Sequence, residues 1–582
     1  MNLKRLSLAA FAALILLPAC VKVDGRLGGD LLPTNQQYDI YTIDIPLTET
    51  RMEMADSLSG YSNSRITVGA VRDDVFGETL RGTAFTLIPA LDTIDFGEST
   101  VIDGISYPEV KRFHIAFAAD TVSTPSGDRD RYILQNLDVF ALSAPLNLDK
   151  KGTNNAVSFD ASKRISNGIP VYAGKDSLSF DFTKEFALDY INGIREVARE
   201  GKILITRDNA QPGDTVKMED YTARLPGVYL RMLPGSGNGG RINMFNFSTL
   251  TLTTNGTSNY YVRNGNVATL RIRGVYDGAV KDTAFLFVPG ETGFVDEIDA
   301  ILNNRKFAQY AFNYTGQSTK PKAGTATEQL LVEGGGGLKP VIQASELREK
   351  VLAEITSRGG DPEKAVINLA TIYLPFEEPA DYRDLDLFPT TLSPTCMIKG
   401  EDDTFSFNGL PDAAASVEDQ GAINRSMLRY QPDITWHLQE IIRLDEESLS
   451  ANPEKIKNYD IWLLTIHDEI VESAATSSYD QEYLQQMMYY NYMNNLYGGY
   501  GGYGYGGYGY GYGGYGYGGY GYDSYGYSNY YNMMLLNAMY ANAGNTSSTT
   551  STLDKDRYYK GILNGPGDNG PYLTVVYGIP KN

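Results

Sequence analysis

Ile66-Thr67-Val68-Gly69-Ala70-Val71, then Arg72-Asp73-Asp74-Val75-Phe76-Gly77, then Gly82-Thr83-Ala84-Phe85-Thr86-Leu87: residues 64–87 read as strand, turn and strand. β-branched and small apolar residues fill the outer runs, and two aspartates with a closing glycine mark the middle as a turn. The pattern recurs along the chain. Phe113-His114-Ile115-Ala116-Phe117 alternates as a half-buried strand does, and Leu137–Leu142, Lys202–Thr206, Gly227–Met232, Thr249–Leu252, Ala268–Arg273, residues 365–374, Asp460–Ile466 and Tyr572–Tyr577 are further strand candidates. Short strands broken by Gly, Asn, Asp and Pro clusters predict a mainly β, multidomain protein, β-sandwich-like or an open barrel, with a few short helices. Those helices fall where the period changes. Phe186, Tyr190, Ile191, Ile194 and Val197 recur at helical spacing before Gly201. Ser345 is placed to cap a helix carrying Leu347, Val351, Leu352 and Ile355 that Gly359-Gly360 stops, and Asp433 to cap one carrying Ile434, Leu438, Ile441 and Ile442.

The chain has 582 residues, more than one core usually holds, so several domains are expected. A small, polar, proline-containing stretch at 316–330 reads as a linker between a β-rich region at 34–315 and a β-rich domain at 331–582. Residues 480–545 break the strand grammar. Tyr497–Tyr527 is almost wholly Gly and Tyr, and glycine loses too much backbone entropy to order for so little burial. The expectation is a disordered insert looping between two strands of the last domain, the chain returning at Asp556–Lys560 and Tyr572–Tyr577. Its Tyr500, Tyr503, Tyr505, Tyr508, Tyr510 and Tyr512 could also act as a sticky interaction segment, each ring offering a flat apolar face and a hydroxyl.

At the other end, Lys4 and Arg5 precede an apolar run from Leu6 to Leu17, then Pro18-Ala19-Cys20. A positive start, a short apolar stretch and a small residue make a secretory signal over residues 1–19. The run is shorter than the roughly 20 apolar residues of a permanent span. The Leu-spacer-Ala-Cys ending resembles a bacterial lipoprotein processing site, which implies cleavage before Cys20, lipid on Cys20 and a tether over 20–33. The chain carries 71 acidic against 50 basic residues, a net charge of −21. That balance excludes nucleic acid as a partner and leaves membrane attachment to the lipid.

Further motifs carry a resemblance. Gly28-Gly29-Asp30-Leu31-Leu32-Pro33 near the anchor, followed by Val68–Gly77, resembles the start of the DUF4270 lipoproteins of Bacteroidetes. Gly227-Val228-Tyr229-Leu230-Arg231, Glu333-Gly334-Gly335-Gly336-Gly337-Leu338, Val366-Ile367-Asn368-Leu369-Ala370 and Tyr430-Gln431-Pro432-Asp433-Ile434-Thr435 resemble later segments of that family, in the same order. The resemblance implies a location, the outer membrane and more often its outer surface than the periplasmic face, and an architecture. It supplies no catalytic residues.

No stretch spells out a reaction. The three histidines, His114, His437 and His467, form no zinc-binding pair, and Gly60-Tyr61-Ser62-Asn63-Ser64 lacks the last glycine of a nucleophile elbow. Gly235–Gly240 reads as a hairpin loop rather than a phosphate loop, and Cys396 as a buried structural thiol. With Cys20 lipidated, Cys396 has no intrachain partner. Paired acids occur at Asp73/Asp74, Glu377/Glu378, Asp384/Asp386 and Glu401/Asp402/Asp403. A glycosidase would need two of them facing across a cleft. Asp128-Arg129-Asp130 or Asp402-Asp403 would suit a structural calcium, though the spacing of a helix–loop–helix calcium site is absent. No other cofactor is expected. The reading is a non-catalytic lipoprotein docking to envelope partners, such as an outer-membrane β-barrel protein or other lipoproteins; the alternative is a glycan-binding or adhesive one. Deleting residues 496–528 and measuring adhesion and partner capture checks the sticky-arm reading. Loss of either supports it, and unchanged values remove it.

Overall fold

The computed structural model describes residues 37–472 and 547–581, except 56, 63–64, 90–93, 121–132, 148–151, 175–176, 199–203, 207–214, 236, 247–249, 256–258, 264–267, 290–304, 308–310, 317–322, 327, 400–404 and 413–420. The Tyr/Gly run, Cys20 and both calcium-candidate loops lie outside the described residues.

The 65–89 stretch builds the first core. Strands Arg65–Asp73 and Gly77–Phe85 pair antiparallel from Gly69↔Arg81 to Asp73↔Gly77. The turn closes because Asp73 Oδ1 accepts from Val75 N at 2.8 Å and Phe76 N at 2.9 Å, while Gly77 takes a φ of +79°. Gly69 is small for a reason: a Cβ there would lie 2.1 Å from the Arg241 carbonyl oxygen. The hairpin sits in a nine-stranded sheet with Gln135–Leu142, Val228–Met232, Gly239–Asn246 and Ala311–Gly316 among its neighbours. Past Phe85 the chain turns a corner, and Leu87–Pro89 joins a separate five-stranded sheet with Ser177–Asp181, Glu109–Ala118, Ala268–Tyr276 and Ala279–Pro289.

The inner faces of these two sheets share one core. Ile66, Val68, Val139 and Leu230 from one meet Phe113, Ile115, Phe117, Leu270 and Phe287 from the other, as in a β-sandwich. Helix Lys184–Val197 adds Ala187, Tyr190, Ile191 and Ile194, and the Thr183 hydroxyl accepts from Phe186 N to start it. Tyr221 donates to the Leu87 carbonyl at 2.6 Å, where Tyr190 also donates, so the corner's orphan acceptor is satisfied. The 232–239 connection joins strands that do not pair with each other, so it is not the hairpin loop expected there.

The second core belongs to the C-terminal half, but it recruits the first described strand. Tyr38–Pro46 pairs with Tyr572–Pro580 over its whole length, from Tyr38↔Pro580 to Pro46↔Tyr572. Arg51–Met54 then pairs with Leu338–Ile342. The pairing therefore cuts across the sequence division at 34–315 and 331–582. A sheet of strands 38–46, 572–580 and 366–375 faces a seven-stranded sheet that includes 338–342, 391–399 and 461–472. Helices Ala344–Ser357 and Thr435–Ile442 contribute Leu347, Val351, Ile355, Leu438 and Ile441 to the same core. The expected linker is partly structural, since Gly324-Thr325 pairs with Arg51-Met52 and Leu330 is fully buried. Two caps differ from expectation. Ser345 lies inside its helix, whose N-cap is Gln343, and the 435–442 helix is capped chiefly by Asp412 (2.5 Å to Trp436 N, 3.0 Å to His437 N) with Asp433 bonding only Thr435 N. The strands flanking the 480–545 insert pair with each other, from Ile466↔Leu553 to Glu472↔Ser547, so the chain returns at 547 rather than at Asp556.

Phe76 joins the halves. It stands on the turn of the first hairpin yet packs, 1 % exposed, into the second core. Its neighbour Val75 is 38 % exposed. Phe76→Ala is expected to cost about 3–5 kcal/mol, as buried Phe truncations do, and Val75→Ala less than about 1 kcal/mol. Denaturant midpoints of the two variants check this; equal shifts would mean that Phe76 does not join the halves.

Candidate functional site

The turn that carries Phe76 also walls a groove of about 450 Å3. Asp73 and Phe76 line it from the turn, Lys560, Ile562, Leu563 and Asn564 from strand Lys560–Asn564, and three residues just past strand 366–375 complete it. Glu377, Glu378 and Pro379 follow that strand end. Asp384 comes from the short 3-10 helix Tyr382–Leu387, which Asp381 starts by accepting from Arg383 N at 3.1 Å. The apolar floor is small: Val75, 38 % exposed, and the half-buried Ile562 offer surface, while Phe388 and Leu563 are buried.

Electrostatics divide the acids. Burial pushes the Asp73 carboxyl up, but hydrogen bonds from Phe76 N, Lys560 and Val75 N outweigh it and hold its pKa below the ordinary carboxylate range. Lys560 Nζ lies 2.9 Å from Asp73 Oδ2, so the groove's one basic residue is neutralised. Glu328, Glu377 and Glu378 are exposed and carry no ion pair among the described residues. Of the acids singled out in sequence, the structure brings Asp73, Glu377, Glu378 and Asp384 to one place. Asp74 accepts from Asn238 Nδ2 instead, and Asp386 faces Arg425 at 3.3 Å. Glu401/Asp402/Asp403 lie outside the described residues. Glu328 and Lys560 were missed because nothing in their local sequence distinguishes them; only the pairing of strand Gln329–Glu333 with Lys560–Asn564 delivers them. Asp73, held charged by Phe76 N, Lys560 and Val75 N, is not built to donate a proton. Among the described residues no three His, Cys, Asp or Glu side chains are grouped to hold a metal ion.

Beyond the same hairpin lies a buried charged junction. Arg81 is 1 % exposed, and its Nη1 donates to the Lys555 carbonyl at 3.2 Å. Asp554 accepts from Arg557 at 3.1 Å and from the Tyr559 hydroxyl at 2.7 Å. Lys339 is fully buried; its ammonium donates to the carbonyls of Glu333, Gly335 (2.9 Å) and Gly337 (3.3 Å), and burial pushes its pKa down to about 7. The glycine-rich 334–337 segment serves this packing. Gly335 sits at φ +57°, and a Cβ there would lie 2.1 Å from Arg81 Nη2.

Cys396, His437 and His114 find their partners within the fold. Cys396 Sγ lies 3.7 Å from His437 Nε2, and His437 Nε2 donates to the Tyr459 carbonyl at 2.9 Å. Burial pushes the thiol pKa well up and the imidazole down to about 4, so the pair is a neutral thiol beside a neutral ring. His114 Nδ1 meets Asp181 Oδ1 at 2.6 Å on its strand, and His467 stands opposite Thr552 in the strand ladder. No protein-family model, no curated protein and no solved structure matches the chain.

Two buried groups at the helix 435–442 N-terminus titrate in opposition. Burial raises Asp412 from 3.8 to about 6, so its ionisation costs stability as pH rises through that window. His437, lowered from 6.5 to about 4, costs stability as pH falls through the same window. Asp412→Asn removes the first effect and keeps one acceptor. Its melting temperature is expected to gain on wild type as pH rises from about 4 to 7, by the equivalent of roughly 2 kcal/mol. A pH-independent difference between the two proteins would contradict the assignment.

Proposed function

We propose that the chain is a lipid-anchored, non-catalytic envelope lipoprotein, of the DUF4270 kind, that docks to partners at the outer membrane. The observation that carries this reading is the placement of strand Tyr38–Pro46. The segment that would bear the lipid at Cys20 leads directly into it, and it is paired with the C-terminal strand through nine register pairs. A pull along that strand loads the ladder in shear rather than one bond at a time. The body is thus hung from its own C-terminal sheet. The non-catalytic part is supported by Cys396 and His437, which burial keeps neutral, and by Asp73, which Phe76 N and Lys560 keep charged.

Fractionation of cells expressing wild type or Cys20→Ala checks the anchor. Wild type is expected with the membranes and the variant in the soluble fraction. Identical fractionation of both would contradict lipid anchoring. Protease added to intact cells, beside a lysed control, then reports the face: loss from intact cells places the body outside, and survival places it in the periplasm. An affinity-tag pull-down tests docking, and reproducible failure to recover any barrel protein or lipoprotein would remove that part.

A further inference from the structure

We infer that the groove beside the 73–77 turn docks an extended segment of a partner protein in which lysines or arginines alternate with apolar residues. This deepens the docking reading above and rests on it. The volume, about 450 Å3, accommodates a few side chains rather than a domain. The floor supplies apolar contact at Val75, which is 38 % exposed, and at Ile562. That floor is rigidly mounted, because Asp73 bonds the turn from inside and Phe76 locks it into the second core. A rigid surface loses little entropy on binding.

Charge selects the occupant. Two neighbouring acids outside the groove are neutralised, the half-buried Asp381 by Arg383 at 2.7 Å and the exposed Asp386 by Arg425 at 3.3 Å. At the rim, Glu328, Glu377 and Glu378 have no such partner among the described residues, and Lys560 is occupied by Asp73. Three unneutralised carboxylates around an apolar floor, on a chain of net charge −21, complement a segment that brings cations and apolar side chains together. The alternation suits an extended strand, whose successive side chains point to opposite sides. A divalent cation is the weaker match, since among the described residues no three ligand side chains are grouped.

The test uses the mature full chain and a fluorescent decapeptide of alternating lysine and valine, with its glutamate–valine counterpart as control. Anisotropy is expected to show binding of the lysine peptide only, weakening as sodium chloride is raised. The double variant Glu377→Lys/Glu378→Lys should weaken binding about tenfold or more, the effect of two rim ion pairs reversed in sign. Glu363→Lys, an exposed reversal outside the groove, should leave it unchanged, with circular dichroism confirming that all three proteins are folded. Equal weakening by both reversals, or no binding at millimolar peptide, would overturn the proposal. So would calcium binding lost in the double variant, which would make the groove a cation site, or a wild-type dimer that the double variant dissolves, which would make it a self-contact. The groove and the docking reading fail separately: a partner recovered equally by wild type and double variant would sink the groove while leaving docking intact, whereas no partner recovered by either would sink docking.

Discussion

The fold depends on one turn being held in two ways. Asp73 fixes the backbone of residues 73–77 from within, and Phe76 is received by a core that, among the described residues, the rest of its own sheet does not enter. Everything near the groove follows from that. Lys560 reaches Asp73 because the turn stands beside strand Lys560–Asn564, and Arg81 reaches the glycine-rich loop because it lies on the strand that leaves the same turn. Burying one Phe side chain yields only a few kcal/mol. Its importance lies in position, since it is one of the points, with the Arg81 junction, at which the first hairpin is registered against the C-terminal half.

The charged junction adds specificity at a cost. Lys339, Arg81, Asp554 and Arg557 are all under a tenth exposed. Taking such groups out of water is unfavourable unless carbonyls and opposite charges surround them. The carbonyls of residues 333, 335, 337 and 555 do this, and the packing leaves no room for side chains in the loop: a Cβ at 334 would meet the Arg557 carbonyl, at 335 the Arg81 guanidinium, at 336 the Thr153 hydroxyl and at 337 the Glu333 side chain. An apolar junction would bury as well but would tolerate sliding. A junction of directed hydrogen bonds admits one register.

Much of the architecture was legible in the sequence because strand alternation and turn chemistry are local. The Val68–Gly77 motif read as strand and turn, and it is one; the helix at 184–197 was visible in its apolar spacing. What was not legible depends on pairing between distant residues. Nothing around Tyr38 announces that its partner is Pro580, so the sequence alone groups this strand with residues 34–315 while its ladder runs in the C-terminal sheet. Asp412 caps a helix that starts more than twenty residues later, and the local candidate Asp433 was the natural choice. The groove was half legible. Glu377/Glu378 and Asp73 stood out as acids, but one acid cluster looks like another among 71 such residues until the fold brings some of them to a shared apolar floor.

Hydrogen exchange at the 73–77 turn tests the central claim most directly. A surface turn normally exchanges within seconds, whereas one locked by its own aspartate and by a residue in a second core exchanges with the sheet it belongs to. The account predicts that Val75 and Phe76 amides are protected to the level of strand Arg65–Asp73, and that strand Lys560–Asn564 loses protection together with them in destabilised variants. Rapid exchange at Val75 and Phe76 beside a protected 65–73 strand would show that the turn is not keyed into the second core, and the groove would lose its fixed wall.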